Sequence, residues 1–224
     1  MSKISVLMSV YKKENPEYLR ASLESVLVQT RTADEILLIE DGPLTQELYQ
    51  VVAEYQKKCD YLHVHAMEQN VQLGRALAKG VELCQYDLIA RMDTDDIAMP
   101  DRLEKEEAYM EAHPEVDVVG GAIREFNDEG TIDRVKNMPK TQEEILEYVK
   151  VRNPLNHMTV MYRKDSILKA GNYKHFPFLE DYSLWSRMLS QGYQFRNMED
   201  ILVRARTSME LVKRRSGWDY YKDF

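Results

Sequence analysis

Residues 86–96 read Tyr-Asp-Leu-Ile-Ala-Arg-Met-Asp-Thr-Asp-Asp, a mainly apolar run that ends in three closely spaced carboxylates. The apolar part predicts a buried strand, because it is short and is bounded by polar residues. Asp93, Asp95 and Asp96 follow at the end of that strand, where crowded carboxylates favour a divalent cation. In an extended segment Asp93 and Asp95 point the same way, and Asp96 points elsewhere. The stretch therefore predicts a cation site at a strand end.

The same stretch also has a purely structural explanation. Pro100 can open a helix whose first turn carries Asp101. The partial positive charge of a helix N-terminus stabilises an acidic side chain in that turn. On this explanation the carboxylates only end a strand and precede an acidic helix cap. The elements around the stretch decide between the two.

Strands and helices alternate from the N-terminus to this stretch. Amphipathic segments that begin at Pro16, near Thr45 and at Gly74 predict helices, and short apolar runs between them predict strands. The predicted strands are Ile4–Val10, Glu35–Glu40, Leu62–Ala66 and 86–92. This alternation is typical of a mostly parallel sheet with helices on both faces. Ligands of such sheets bind outside the carboxyl ends of the strands.

Polar residues stand at three of these carboxyl ends. Ser9 and Tyr11 end the first strand. Asp41 follows the second strand, and Asp93 with Asp95 follows the fourth. Because the carboxyl ends of parallel strands meet at one edge of a sheet, these residues are expected to share a cleft. Polar clusters at several strand ends favour a binding site over an acidic cap.

The second half of the chain changes character. Helices are predicted at 101–112, 143–149, 165–170 and 180–191, and strands at 116–121, 156–162 and 201–205. Gly120 and Gly121 near the end of one strand predict a bulge, with 123–126 as the continuation of that strand. In the strand predicted at 156–162, alternate residues including His157 share one face.

The composition is that of an ordinary globular protein. Of 224 residues, 44% are hydrophobic and 30% are charged, which suits one domain with a sizeable core. The net charge of −8 argues against a protein that binds nucleic acid mainly through its charge. Cys59 and Cys84 lack metal-ligand spacing, which predicts reduced thiols. No signal peptide and no apolar run of membrane-spanning length are visible, so the cytoplasm is the expected compartment.

Four motifs, in their order along the chain, resemble the inverting family 2 glycosyltransferases of the GT-A fold. The likeness is strongest to the bacterial exopolysaccharide and O-antigen subgroup that includes the amylovoran-type transferases. The motifs are Glu-Asp-Gly-Pro at 40–43, Ala-Arg-Met-Asp-Thr-Asp-Asp-Ile at 90–97, Arg-Asn-Pro-Leu-Asn-His-Met-Thr-Val-Met at 152–161 and Glu-Asp-Tyr-Ser-Leu-Trp at 180–185. The resemblance spans about residues 4–210. It implies a single α/β domain of the Rossmann-like GT-A fold over 1–224, in which 1–97 bind the nucleotide sugar and 98–224 bind the acceptor.

The resemblance also implies a donor site for a UDP-hexose or UDP-N-acetylhexosamine. Ser9, Tyr11 and Asp41 would hold the uridine. Asp93 would contact the nucleoside side, and Asp95 would bind Mn²⁺ or Mg²⁺ against the diphosphate. The chemistry agrees, because a hard cation held by oxygen ligands stabilises a leaving group with two negative charges.

The same resemblance makes Asp181 the general base, although a carboxylate at this predicted helix start could equally cap the helix. A base within hydrogen-bond reach takes the proton of the acceptor hydroxyl as that oxygen attacks the anomeric carbon from the opposite face, which inverts the configuration. Glu180 is expected to be an acceptor-site or supporting carboxylate. His157 would support the catalytic loop or only pack. Arg91 and Arg75 could pair with the diphosphate, with the acidic cluster or with solvent.

Some residues depart from the family pattern. The loop before the third helix commonly reads Asn-x-Gly-Leu, and here Gln72 stands at the Gly position. Ala78 replaces the usual Asn later in that helix, whereas Gly80 is kept. These changes affect the backbone contacts expected of the loop, but not the fold. Family chains also usually continue beyond the point at which this sequence stops, so a truncated chain is expected.

The end of the sequence is basic and aromatic. It holds Arg204, Arg206, Lys213, Arg214, Arg215, Trp218, Tyr220, Tyr221 and Phe224. A solvated helix explains this pattern, and so does a surface that contacts anionic lipid or a lipid-diphosphate acceptor. Because the family acts on lipid-linked saccharides in surface polysaccharide synthesis, peripheral contact with the cytoplasmic face of the inner membrane is expected.

Two other functions fit part of the pattern. A nucleotidyltransferase also uses paired Asp residues and a metal, but a Gly-rich loop should follow its first strand, and residues 9–13 hold no Gly. A non-catalytic sugar- or nucleotide-binding module of the same fold would not need both the acidic cluster and the carboxylate of Asp181.

Overall fold

A sheet of nine strands runs through the computed structural model, which describes residues 2–207 of the chain. The strands are β1 Ile4–Val10, β2 Glu35–Glu40, β3 Leu62–Ala66, β4 Leu88–Asp93, β5 Ile97–Ala98, β6 Val118–Phe126, β7 Asp133–Lys136, β8 Met161–Arg163 and β9 Phe195–Arg206. The helices are α1 Pro16–Leu27, α2 Gln46–Lys58, α3 Leu73–Leu83, α4 Arg102–Ala112, α5 Gln142–Tyr148, α6 Lys164–Lys169 and α7 Glu180–Ser190. A 3₁₀ turn at His157–Thr159 precedes β8.

The sheet is parallel in its first half and mixed in its second. Along the sheet the strands stand in the order β3-β2-β1-β4-β8-β6-β9-β5, and β7 pairs with β6. β1 pairs in parallel with β2 and β4, and β2 pairs in parallel with β3. β8 lies antiparallel to both β4 and β6, so it joins the two halves into one sheet. The predicted α/β architecture is confirmed, with more antiparallel pairing in the second half than the alternation of the first half indicates.

Local sequence explains where the first helices begin. Pro16 occupies the first turn of α1, and the side chain of Asn15 accepts a hydrogen bond from the N–H of Glu17 at 2.9 Å. Thr45 caps α2 in the same way, by accepting from the N–H of Leu48 at 3.3 Å. These caps satisfy N–H groups that have no partner inside a helix, which fixes the start of each helix.

The sheet separates two apolar cores. Val6 and Met8 of β1 face the core that α1, α2 and α4 cover, and Leu7 faces the core that α3 and α7 cover. All three side chains are buried. A strand buried on both faces reads as a continuous apolar run, and this is why β1 and β2 could be recognised from sequence.

The strand predicted at 156–162 is wrong in its first part, where the chain forms the 3₁₀ turn instead. The hydroxyl of Thr159 donates to the carbonyl oxygen of Asn156 at 2.8 Å, and the N–H of Thr159 donates to the same oxygen at 2.9 Å. Such local bonds favour a turn over a strand ladder. His157 is therefore not on an alternating strand face, and its side chain is buried.

Other strands differ from prediction in extent. β9 begins at Phe195, before the predicted 201–205, and β5 and β7 were not predicted. β7 has no apolar pattern to recognise, because all four of its residues are exposed. The predicted bulge in β6 is confirmed, since the pairing of β6 with β9 shifts register between Gly120 and Ile123.

Part of the basic and aromatic tail falls within the structure. Arg204 and Arg206 belong to β9, whereas the remainder, at 208–224, lies outside the described residues. Over residues 2–207, the helices are too short or too polar for any of them to span a bilayer.

Gln72 has an unusual backbone conformation, with φ of 71° and ψ of 156°. This region is populated almost only by glycine, and a residue with a side chain pays about 1–3 kcal/mol to occupy it. The family pattern with Gly at this position is thus explained by the backbone, and Gln72 keeps that backbone at a cost in strain.

Replacing Gln72 with Gly is expected to raise the free energy of unfolding by about 1 kcal/mol, because relief of strain outweighs the added freedom of the unfolded chain. Urea unfolding followed by circular dichroism measures the change. Gln69→Gly is the matched control, since Gln69 is also exposed and has no positive φ, and this variant should be neutral or less stable. A Gln72→Gly variant no more stable than the wild type contradicts the assignment of strain.

Candidate functional site

A cleft of about 610 Å³ opens at the carboxyl ends of β1, β2 and β4. The predicted site residues that line it are Ser9, Tyr11, Asp41, Asp93, Asp95 and Glu180. The others lie off its lining, namely Asp181, His157, Arg91 and Arg75. Residues from both halves of the chain therefore meet in this cleft, as the strand-end argument predicted for the first half.

Three carboxylates meet beside the cleft, and two of them, Asp93 and Asp95, line it. One oxygen each of Asp93, Asp95 and Asp96 lies within 4.8 Å of the others. Asp96 does not line the cleft as Asp93 and Asp95 do. One of its oxygens still reaches the cluster, because β4 ends at Asp93 and the chain turns at the next residues. Asp96 is buried, and it accepts a hydrogen bond from the N–H of Arg206 at 2.7 Å.

Crowding and burial make these carboxylates hard to ionise together. Burial raises the pKa of Asp95 to about 7, and the charges of Asp93 and Glu14 add to the rise. Burial, followed by the charges of Asp95 and Asp93, also raises the pKa of Asp96 well above its usual range. A bound cation would relieve this repulsion. Oxygen ligands of this kind suit a hard ion such as Mn²⁺ or Mg²⁺.

Arg91 compensates part of this charge. Its guanidinium is 2% exposed and forms a forked pair with both carboxylate oxygens of Asp93. Of the alternatives for Arg91, the structure favours the partner of the acidic cluster. Arg75 is exposed on the first turn of α3, and it is not part of the cleft lining.

Asp41 is held rigidly at the end of β2. Its carboxylate accepts from the N–H of Val71 at 2.6 Å and from the side-chain amide of Asn70 at 2.9 Å. Burial raises the pKa of Asp41, and the backbone hydrogen bonds from Val71 and Gln72 oppose that rise. Gly42 allows the backbone of Asn70 to pass close to the end of β2, because a Cβ at residue 42 would lie 2.4 Å from the backbone nitrogen of Asn70.

The loop after β1 also contributes to the lining of the cleft. The hydroxyl of Thr94 donates to the carboxylate of Glu14 at 2.6 Å and approaches the carbonyl oxygen of Ser9 at 3.3 Å. Tyr11 is 44% exposed and lines the cleft. Sequence reasoning did not identify Glu14 and Thr94, which no spacing rule connects.

The two acidic residues that open α7 have different surroundings. Glu180 lines the cleft, and burial raises its pKa. Asp181 is set back, with its side chain 13% exposed. Its carboxylate accepts from the side-chain amide of Asn153 at 2.6 Å and from the N–H of Tyr182 at 2.7 Å. Burial is the largest influence on the pKa of Asp181 and raises it.

His157 lies behind Asp181. Its Nε2 is 2.9 Å from the hydroxyl of Tyr173, and its Nδ1 is 3.9 Å from a carboxylate oxygen of Asp181. Burial, with a contribution from the charge of Arg91, lowers the pKa of His157 well below its usual range. The imidazole is therefore neutral at pH 7, and it packs beside Trp185 at 6.1 Å between ring centroids. His157 does not belong to the cluster of Asp93, Asp95 and Asp96 that could hold a metal ion.

Arg206 is a site residue that sequence reasoning assigned to the basic tail. Its Nε donates to the carbonyl oxygen of Asp95 at 3.1 Å, and its guanidinium lies 3.8 Å from the ring centroid of Tyr18. It also pairs with Asp128. With 13% of its side chain exposed, Arg206 supports the acidic turn, which is a correction to its assignment as a surface group.

Known proteins resemble this chain in sequence over most of its length. The model of "Glycosyl transferase family 2" matches residues 5–174. The amylovoran biosynthesis glycosyltransferase AmsE of Erwinia amylovora is 43% identical over 97% of this chain and 81% of its own. An Escherichia coli UDP-Gal:alpha-D-GlcNAc-diphosphoundecaprenol beta-1,3-galactosyltransferase is 35% identical over 97% of this chain and 79% of its own.

Solved structures resemble the fold. S. aureus TarS 1-349 in complex with UDP-GlcNAc superposes with a TM-score of 0.75 at 18% identity, over 99% of this chain and 64% of that chain. A mannosyltransferase of Pyrobaculum calidifontis in complex with GDP-Man and Mn2+ gives a TM-score of 0.72 at 12% identity, over 99% of this chain and 60% of that chain. This chain thus spans less than two thirds of either solved chain, and at these identities the likeness concerns the fold alone. By its sequence and its GT-A architecture, the chain belongs to glycosyl transferase family 2.

Proposed function

We propose that this protein is a metal-dependent, inverting glycosyltransferase that moves a hexose or N-acetylhexosamine from a UDP-sugar to a hydroxyl of a lipid-linked saccharide. The observation that carries the proposal is the cluster of Asp93, Asp95 and Asp96, whose oxygens lie within 4.8 Å of one another. Asp93 and Asp95 line a cleft that Glu180 also lines. Such a cleft offers a cation site for a diphosphate and a carboxylate-bearing wall for an acceptor.

The donor would occupy the wall formed by β1, β2 and β4. Asp41, with both oxygens already oriented by the backbone and Asn70, would hold the uracil. Ser9 and Tyr11 would contact the uridine, and Asp93 its ribose side. Asp95 is the proposed direct metal ligand. When bound, Mn²⁺ or Mg²⁺ supplies positive charge that stabilises the diphosphate as it leaves.

The acceptor would approach from the side of α7. The proton of its hydroxyl passes to the carboxylate of Asp181 while the hydroxyl oxygen bonds to the anomeric carbon. The bond from that carbon to the diphosphate breaks, and UDP leaves with the electron pair. Attack from the face opposite the leaving group inverts the configuration, so one base is enough. Glu180, which lines the cleft, would contact the acceptor.

Relatives support the choice of substrates. The E. coli relative is named for a UDP-Gal donor and an alpha-D-GlcNAc-diphosphoundecaprenol acceptor. The Erwinia relative is named for amylovoran biosynthesis. A lipid-linked acceptor would bring this protein to the cytoplasmic face of the inner membrane, where the basic residues of 208–224 would meet anionic lipid.

Asp95→Asn is expected to weaken the affinity for UDP in the presence of Mn²⁺ by about tenfold or more, since loss of even a supporting group at metal sites costs about 10–100-fold. Calorimetry with UDP, with and without Mn²⁺, measures this. The variant should stay folded, because it removes a charge from a self-repelling cluster. Asp101→Asn is the control, as Asp101 lies outside the cluster and is 42% exposed. An unchanged Mn²⁺ effect in Asp95→Asn contradicts the ligand role.

Asp181→Asn is expected to lower kcat by about 10²–10⁴-fold, the usual contribution of a general base, and to leave UDP affinity unchanged. Steady-state UDP release measures turnover. Glu180→Gln is the matched control, and it should change the KM for the acceptor more than kcat. If Asp181→Asn keeps most of its turnover and Glu180→Gln loses it, the base is Glu180.

A panel of nucleotide sugars tests the donor. UDP-glucose, UDP-galactose and their N-acetylated forms are expected to raise the melting temperature in the presence of Mn²⁺, because the uridine wall is common to them. At least one should release UDP when an alkyl-diphosphate-linked N-acetylglucosamine or galactose is added. Stabilisation by dTDP-sugars and not by UDP-sugars contradicts the donor assignment, and an absence of turnover with every pair contradicts the proposed reaction.

A further inference from the structure

Asn153, the second residue of the motif at 152–161, contacts the proposed base directly. It stands between α5 and the 3₁₀ turn, and its Nδ2 donates to Oδ2 of Asp181 at 2.6 Å. Its Oδ1 accepts from the N–H of Leu155 at 3.2 Å. Because only an N–H can face a carboxylate and only the amide oxygen can face an N–H, these contacts fix the orientation of the amide.

The backbone that carries Asn153 is held from the sheet. Asn197 of β9 is buried, and its Nδ2 donates to the carbonyl oxygen of Pro154 at 3.0 Å and to that of Pro139 at 2.6 Å. The side chain of Asn156 donates in turn to the carbonyl oxygen of Gly121 in β6 at 2.9 Å. The side-chain N–H of Asn153 thus comes from a segment that is hydrogen-bonded to β6 and β9.

Asp181 needs such a donor because its surroundings disfavour a charge. Burial raises the pKa of Asp181, while hydrogen bonds from the Tyr182 N–H and Asn153 and the charge of Arg91 lower it. His157 supplies no charge, because burial keeps the imidazole neutral. Other titratable neighbours are Glu180 and Tyr182 on the same helix, with the Tyr182 hydroxyl donating to the carbonyl oxygen of Val149 at 2.5 Å. Tyr173 is another, and its hydroxyl is protonated at pH 7 because burial raises its pKa.

We infer that Asn153 is a positioning residue, which holds the carboxylate of Asp181 in the orientation that receives the acceptor proton. The inference rests on the proposed role of Asp181 as base. Asn153 and the Tyr182 N–H each occupy one lone pair on a different oxygen of Asp181. A carboxylate has about four such sites, so each oxygen keeps one with which to take the proton. Asn153 neither gains nor loses a proton, and the bonds that form and break are those of the sugar transfer described above.

Two substitutions separate this role from packing. Asn153→Ala removes the donor and leaves a space. Asn153→Asp keeps the shape and replaces the donor by a second carboxylate facing the first. If Asn153 only filled space, Asn153→Asp would resemble the wild type more than Asn153→Ala does. If it acts by donation, Asn153→Asp is the more damaged, because two adjacent carboxylates cannot both ionise readily.

The measurement is the pH dependence of kcat, with the UDP-sugar and acceptor pair that gives the highest turnover in the panel above. In Asn153→Ala the acidic limb should move to higher pH by about one unit, the scale of one hydrogen bond to a charged group. In Asn153→Asp the acidic limb should move further toward high pH, and kcat at pH 7 should fall about tenfold or more. UDP affinity by calorimetry should stay the same in both variants, because the donor wall is untouched.

Asn127→Asp is the matched control. Asn127 also accepts a backbone N–H, from Ile132, through its Oδ1 and donates through its Nδ2 to a side chain, Thr131. Its substitution should leave the acidic limb in place. An unmoved limb in both Asn153 variants, while Asp181→Asn is inactive, overturns the role of Asn153 alone. An active Asp181→Asn overturns the proposed base, and the role of Asn153 with it.

Discussion

Mutual repulsion among Asp93, Asp95 and Asp96 is the constraint on which the rest of the site depends. Three carboxylates with oxygens within 4.8 Å of one another are held at the end of β4, where Asp96 is buried and Asp93 and Asp95 are half-buried. Charges this close repel more strongly there than in bulk water. Arg91 forms an ion pair with Asp93. Arg206 donates hydrogen bonds to the turn that carries Asp95 and Asp96. The fold places these carboxylates together in spite of their charge, which is understandable if a cation completes the site.

One strand connects the two sides of the cleft. Near its start, β9 carries Asn197, which holds the segment of Asn153 behind the proposed base. At its end, β9 carries Arg206, which contacts the acidic turn. β9 therefore links the acidic turn to the segment whose Asn153 contacts Asp181. A site built in this way keeps its reacting groups in a fixed relation, as catalysis by positioning requires.

Sequence reasoning succeeded where side-chain pattern and local structure agree. The strands of the first half are short apolar runs, and their carboxyl ends brought Ser9, Asp41 and Asp95 into one cleft as expected. Alternation does not explain why an oxygen of Asp96 still reaches the cluster, because the chain turns beyond the end of β4. Sequence reasoning failed for contacts between distant residues, as Arg206 lies 110 positions from Asp96. No periodicity records such a contact. The roles given to the cleft residues stay predictions.

Anomalous scattering from manganese in crystals grown with UDP and MnCl₂ tests whether Asp95 binds a cation beside the diphosphate. We expect a peak about 2.0–2.6 Å from a carboxylate oxygen of Asp95, the range for hard cations bound by oxygen, and in contact with the diphosphate. A crystal with UDP in the cleft and no manganese peak at Asp95, or with the peak at another group of residues, would contradict this expectation.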